Sequence, residues 1–171
     1  MALQPEKFTQ KSQQALAAMQ QCAARYNNQE LTPLHLLYAL LEHEQSLINN
    51  LIKKAGKDPA QVRDTAEKEL DKLPKVTGSG ASQAYMGRDL TRVLDAAEQE
   101  MREFNDEYIS VEHLFLALLA KGGKAAEVLV AFDITRDNAL QALQQIRGNQ
   151  RVTSENPEAT FEALEKYGQD L

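Results

Sequence analysis

The sequence predicts an all-α fold built from two tandem four-helix repeats related by a pseudo-twofold axis. Three observations predict it: apolar residues recur at helical spacing, cap-and-proline signals open successive segments, and one eleven-residue motif returns 78 positions later. Composition agrees with this. Of the 171 residues, 43 % are hydrophobic and 26 % charged, with 6 % aromatic, no Trp and 8 Gly, a balance that suits a helical chain better than a sandwich or barrel. A chain of this length can bury its own apolar surface.

The first element carries Phe8, Ser12, Ala15, Leu16, Met19, Ala23 and Tyr26 on one face, with Gln and Lys on the other. It reads as one amphipathic helix of about five turns. After the polar stretch Asn27-Asn28-Gln29-Glu30, Thr32-Pro33 supplies a capping hydroxyl and a proline at the first helical position. The helix that follows, LHLLYALLEH, is apolar on nearly every side and is therefore expected to be surrounded by others. A short third helix from Leu47 to Lys54 ends at Ala55-Gly56, and Asp58-Pro59 opens a fourth, through Leu70. Residues 1–73 thus form the first repeat. Residues 74–86, rich in Gly and small polar residues, read as a flexible linker loop.

The second repeat, 87–148, follows by subtraction. LTPLHLLYALL from Leu31 aligns with ISVEHLFLALL from Ile109, where seven of the eleven pairs are identical or close substitutions. Leu16 then meets Leu94, Ala18 meets Ala96, Tyr26 meets Phe104 and Asn27 meets Asn105; a one-residue deletion puts Gly56 opposite Asp133 and Asp58 opposite Thr135. Such half-domains cannot each bury an apolar face alone, so they should share a core. The tail, 149–171, reads as a linker toward a further domain, with a short amphipathic segment from Pro157 carrying Phe161, Leu164 and Tyr167.

Several function classes are disfavoured. Net charge is −6 with no Lys/Arg stripe, which argues against nucleic-acid partners. The N-terminus turns polar within four residues and no run approaches the ~18 apolar residues of a membrane span, so a cytoplasmic protein is expected. Cys22 is the sole cysteine, at a core-facing position, which leaves no internal disulfide or thiolate metal cage. No phosphate loop, nucleophile elbow or His-Glu-x-x-His helix occurs, so no catalytic residue, metal or cofactor is assigned. His35 and His113, each three residues after a capping hydroxyl, are expected to be neutral and bonded to backbone, because a cation there would oppose the helix dipole. His43 is expected to be solvated.

The twin T/S-x-x-H-L-x-x-A-L-L motif, the LPKVTGSG loop and the NPEATFEALEKYGQDL exit resemble the N-terminal domain of Clp-family AAA+ unfoldases, ClpB-type disaggregases in particular. That resemblance implies an orthogonal helical bundle that is joined flexibly to a hexameric ATPase ring and helps capture unfolded or aggregated polypeptide. ATP and Mg would be held by ATPase domains outside these residues. The full-length protein would be a homohexamer working with the DnaK chaperone system, and the present chain by itself a monomer. It also implies functional polar residues at Thr9, Asp106 and Glu112, and a client groove with Leu90, Val93 and Leu94 in its lining. For Thr9 a helix cap, for Glu112 a favourable place in a helix's first turn, and for the three apolar residues ordinary core remain open readings. The alternative from the same family is docking of a folded adaptor, as in ClpA and ClpC unfoldases.

Overall fold

The computed structural model describes residues 4–76, 84–148, 152 and 157–158. Its elements are α1 (Gln10–Arg25), β1 (Glu30–Leu31), α2 (Pro33–Leu41), α3 (Leu47–Lys54), α4 (Pro59–Asp71), β2 (Tyr85–Met86), α5 (Arg88–Glu103), α6 (Val111–Lys121), α7 (Lys124–Ala131) and α8 (Arg136–Arg147). The duplication is visible in their bounds: 88 − 10 = 78 and 103 − 25 = 78 for α1 and α5, and 136 − 59 = 77 for α4 and α8. Backbone conformation repeats with it. Asn27 and Asn105 both take a left-handed φ, 57° and 56°, at the ends of α1 and α5, and Gly56 and Asp133 do the same after α3 and α7.

Side-chain caps fix most helix starts, each accepting a hydrogen bond from an otherwise unpaired backbone N–H. Thr9 caps α1 through Ser12 N, Ser46 caps α3 through Asn49 N, Asp58 caps α4 through Ala60 N and Thr135 caps α8 through Asn138 N. The first helix begins at Gln10, two residues later than its apolar pattern suggests. Phe8 is extended because it bridges Ile109 in parallel, with Thr9 N donating to Ile109 O (3.0 Å) and Ile109 N to Lys7 O (2.8 Å).

That bridge has a symmetry mate. β1 pairs in parallel with β2, Leu31 opposite Met86, and Gly87 N donates to Leu31 O at 3.0 Å. Adding 78 to Phe8 gives Met86, and adding it to Leu31 gives Ile109. The segment before each repeat's first helix therefore pairs with the loop before the other repeat's core helix. Pairings of one or two residues fall below the length at which strand alternation can be read from sequence.

Between these cross-links lies a single apolar cluster. Leu36, Leu37 and Leu41 of α2 and Leu114, Phe115, Leu116 and Leu118 of α6 are all buried in it. α2 packs on α1, α4, α6 and α7, and α6 on α5, α7, α8, α2 and α3, so each core helix is enclosed by both halves. Every such Leu contributes roughly 1.5–3 kcal/mol relative to exposure. Of the expected linker loop, 77–83 lie outside the described residues; Val76 N bonds Asn27 O and β2 begins at Tyr85. The expected tail segment with Phe161, Leu164 and Tyr167 also lies outside them.

Gly56 takes φ +84° with open space where a Cβ would stand. Gly56→Ala should therefore cost about 1 kcal/mol through the backbone alone, with no packing change. Equilibrium denaturation checks this, and an unchanged midpoint would mean that the turn rearranges freely.

Candidate functional site

The two histidines build one device twice. In each repeat the residue before the core helix caps it and the histidine three positions later closes a capping box: Thr32 N donates to His35 Nδ1 (3.0 Å) and Ser110 N to His113 Nδ1 (2.9 Å). A backbone N–H can only donate, so Nδ1 accepts and the ring proton of the neutral form sits on Nε2. In the first repeat Nε2 donates to Asn28 Oδ1 at 2.9 Å, and burial, partly offset by the bond with Thr32, lowers the ring's pKa to about 4. His35 is thus neutral and backbone-bonded, as its position in the sequence implies.

In the second repeat the same ring nitrogen meets a charge. Adding 78 converts Asn28 into Asp106 and Leu34 into Glu112, while adding 77 converts Leu70 into Arg147. Three neutral positions become a buried ionic cluster. His113 Nε2 donates to Asp106 Oδ2 (2.7 Å); Asp106 Oδ1 accepts from Arg147 Nη2 (2.6 Å) and from Val152 N (2.8 Å). Burial alone would push the Asp106 carboxyl up, but the bonds from His113, Arg147 and Val152 outweigh it and hold the group below its ordinary value. Arg147 Nη1 lies 3.6 Å from Glu112 Oε2, its guanidinium covers the Phe104 ring, and Ser110 Oγ donates to Glu112 Oε1.

A further carboxyl enters from the chain after α8. Glu158 is fully buried; its Oε2 accepts from Thr9 Oγ1 (2.6 Å) and Val111 N (3.2 Å), while its Oε1 has no hydrogen-bond partner among the described residues. Burial first, and then the neighbouring Glu112 charge, raise its pKa to about 7.

The structure thus brings Thr9, Asp106 and Glu112 into one region, but beneath the surface: they are 0 %, 7 % and 0 % exposed. Leu90, Val93 and Leu94 of α5 are also fully enclosed, at 0 %, 0 % and 1 %, and belong to the core rather than to an open lining. An open apolar concavity does occur nearby. A groove of about 280 Å³ runs between α1, the end of α2 and the start of α3, lined by Ala15, Ala18, Ala39, Leu40, Leu47 and Ile48 together with Lys11 and His43, and it reaches Val111 and Glu158. Among the described residues no group of three or more His, Cys, Asp or Glu side chains is placed to hold a metal ion, and no helix is long and apolar enough to cross a membrane.

Sequence reasoning overlooks two members of the cluster. Arg147 could have been found, because the 77-residue offset sets a cation opposite the core residue Leu70. For Glu158 no local signal exists.

An ion cluster of this kind contrasts with the neutral solution of the first repeat, and the contrast can be measured. Arg147→Leu alone strands buried carboxylates and should cost about 3–5 kcal/mol. The triple replacement Asp106→Asn, Glu112→Leu, Arg147→Leu restores the first repeat's residues and should regain most of that loss in denaturant unfolding. A triple variant as unstable as the single one would contradict the reading.

Comparison with known proteins agrees with this architecture. The family model described as the Clp repeat (R) N-terminal domain matches residues 7–132. The chaperone protein ClpB of Nitratidesulfovibrio vulgaris is 44 % identical over 169 residues, covering 96 % of this chain and 20 % of that protein. ClpB of Bacillus anthracis is 42 % identical over 167 residues, covering 96 % and 19 %. The chain therefore spans about a fifth of the length of these curated relatives. Among solved structures, the Hsp104 N-terminal domain from Candida albicans superposes with a TM-score of 0.78 at 21 % identity, covering 89 % of this chain and 99 % of that one. The N-terminal domain of the ClpV1 ATPase from E. coli gives a TM-score of 0.70 at 18 % identity, covering 90 % and 91 %; both likenesses concern the fold. With a family model that matches most of its length and a duplicated helical unit locked by reciprocal pairing, the chain belongs to the Clp repeat N-terminal domain family.

Proposed function

We propose that this chain is the client-engaging N-terminal domain of an ATP-dependent ClpB-type disaggregase. It binds exposed apolar segments of unfolded or aggregated proteins weakly and passes them to the pore of an ATPase ring. The observation that carries the reading is the open groove between α1 and α3, lined by small and aliphatic side chains beside the polar cluster of the second repeat. Because Leu90, Val93 and Leu94 do not line the groove, client contact is assigned to its wall at Ala15, Ala18, Leu40 and Ile48, of which Ala18 is the most open. Thr9 and Glu112 act on the groove indirectly, through Glu158 at its edge, and Asp106 through the Arg147 that it shares with Glu112.

The size of the groove sets the affinity. Two aliphatic client side chains buried there would gain roughly 3–6 kcal/mol. Ordering a floppy chain and losing rigid-body freedom removes much of that, which leaves fast, weak binding suited to a domain that must release its cargo. In the full-length protein, ATP and Mg belong to the ring, the assembly is a cytoplasmic homohexamer, and hand-over involves the DnaK system.

An NMR titration with reduced, carboxymethylated α-lactalbumin tests this. Amide shifts in fast exchange should concentrate at Ala15, Ala18, Leu40 and Ile48, and Ala18→Asp should weaken binding at least fivefold without lowering Tm. No saturable shifts with any unfolded chain, together with stoichiometric binding of one folded partner, would reverse the assignment toward adaptor docking.

A further inference from the structure

The two repeats differ at the first residue of the core helix. The first uses Pro33, which has no backbone N–H; the second, 78 positions on, uses Val111, which does. An N–H at that position has no acceptor within its own helix, so buried Val111 needs one from elsewhere. Glu158 supplies it, with the Thr9 hydroxyl as a second donor to the same oxygen.

A matching asymmetry holds residue 152. In the first repeat Asn28 Nδ2 donates to Pro74 O (3.0 Å) and Val76 N to Asn27 O (2.7 Å), which ties the chain after α4 to the end of α1. In the second, Asp106 accepts from Val152 N and Glu107 N donates to Val152 O (2.7 Å), which ties the chain after α8 to the end of α5. One repeat's continuation is held by a neutral amide, the other's by a buried carboxylate.

We propose that Thr9, the Val111 amide and Asp106 form a docking site for the chain that follows α8, with Val152 and Glu158 as its two pins. Thr9 and Asp106, two of the polar residues that the family resemblance singles out, thereby set how firmly the exit chain is held against the body of the domain. This goes beyond client binding and does not depend on it.

The Glu158 pin is proton-linked, because burial disfavours its charged form and the neighbouring Glu112 carboxylate adds to that. Glu112 of α6 faces it as a like charge, and Arg147 of α8 is committed to Glu112 and Asp106. Lys11 of α1 and His43 beyond α2 share the groove with it. Docking raises the carboxyl's pKa from its ordinary 4.5 to about 7, so the docked state binds the proton more tightly. The pin is therefore fully effective below about pH 4.5 and loosens as pH rises through 7.

Amide hydrogen exchange of the full chain, followed by NMR as protection factors at pH 5 and pH 8, tests the proposal. In the wild type Val111 should be protected at pH 5 and lose at least tenfold of that protection at pH 8, while Leu118 inside α6 stays unchanged. Glu158→Ala should remove Val111 protection at both pH values. Glu158→Gln keeps an acceptor without a charge and should hold the protection flat between them. Equal Val111 protection in the wild type and Glu158→Ala would overturn the docking site. A flat wild-type profile would overturn its proton linkage.

Discussion

The exchange of chain between the two halves is the constraint on which the rest of this domain depends. α2 and α6 are apolar around nearly their whole circumference, so neither can be covered by the three other helices of its own repeat. Each is closed by the other half, and the short parallel pairings of Phe8 with Ile109 and of Leu31 with Met86 fix the angle at which the halves meet. Backbone hydrogen bonds such as Thr9 N to Ile109 O and Gly87 N to Leu31 O contribute only about 1 kcal/mol each. Their effect is geometric, since they place the start of each first helix beside the opposite core helix.

Within that symmetric frame, chemistry appears where the symmetry fails. The first repeat fills the space beneath its capping box with Asn28, Leu34 and Leu70; the second fills it with Asp106, Glu112 and Arg147. Buried ion clusters of this type seldom stabilise a fold more than apolar residues of similar volume would. Their presence on one side only, at the point where the exit chain returns to the body, is consistent with a role in positioning. The apolar groove opens beside the same point, so the surface and the buried charges share residues Val111 and Glu158.

Much of the fold was legible in the sequence, because helical periodicity, caps and duplication all speak locally. The start at Pro33, the span Leu47–Lys54 and the equivalence of Gly56 with Asp133 follow directly from such signals. The neutral, backbone-bonded His35 followed from helix electrostatics. What stayed hidden was long-range. The cross-pairs are too short to leave an alternating pattern, and the partnership of Thr9 with Glu158 joins residues 149 positions apart. Leu90, Val93 and Leu94 show the limit from the other side: an amphipathic stripe on α5 reads the same whether it lines a groove or fills a core.

If the halves are closed by one another, they must unfold together. Native-state hydrogen exchange across a denaturant series follows Leu37 in α2 and Leu116 in α6 in a single experiment. Both amides should converge on one opening free energy with one denaturant slope, as expected of a single cooperative unit. Separate opening energies, with one repeat remaining protected after the other has exchanged, would show two independent domains and contradict the shared core.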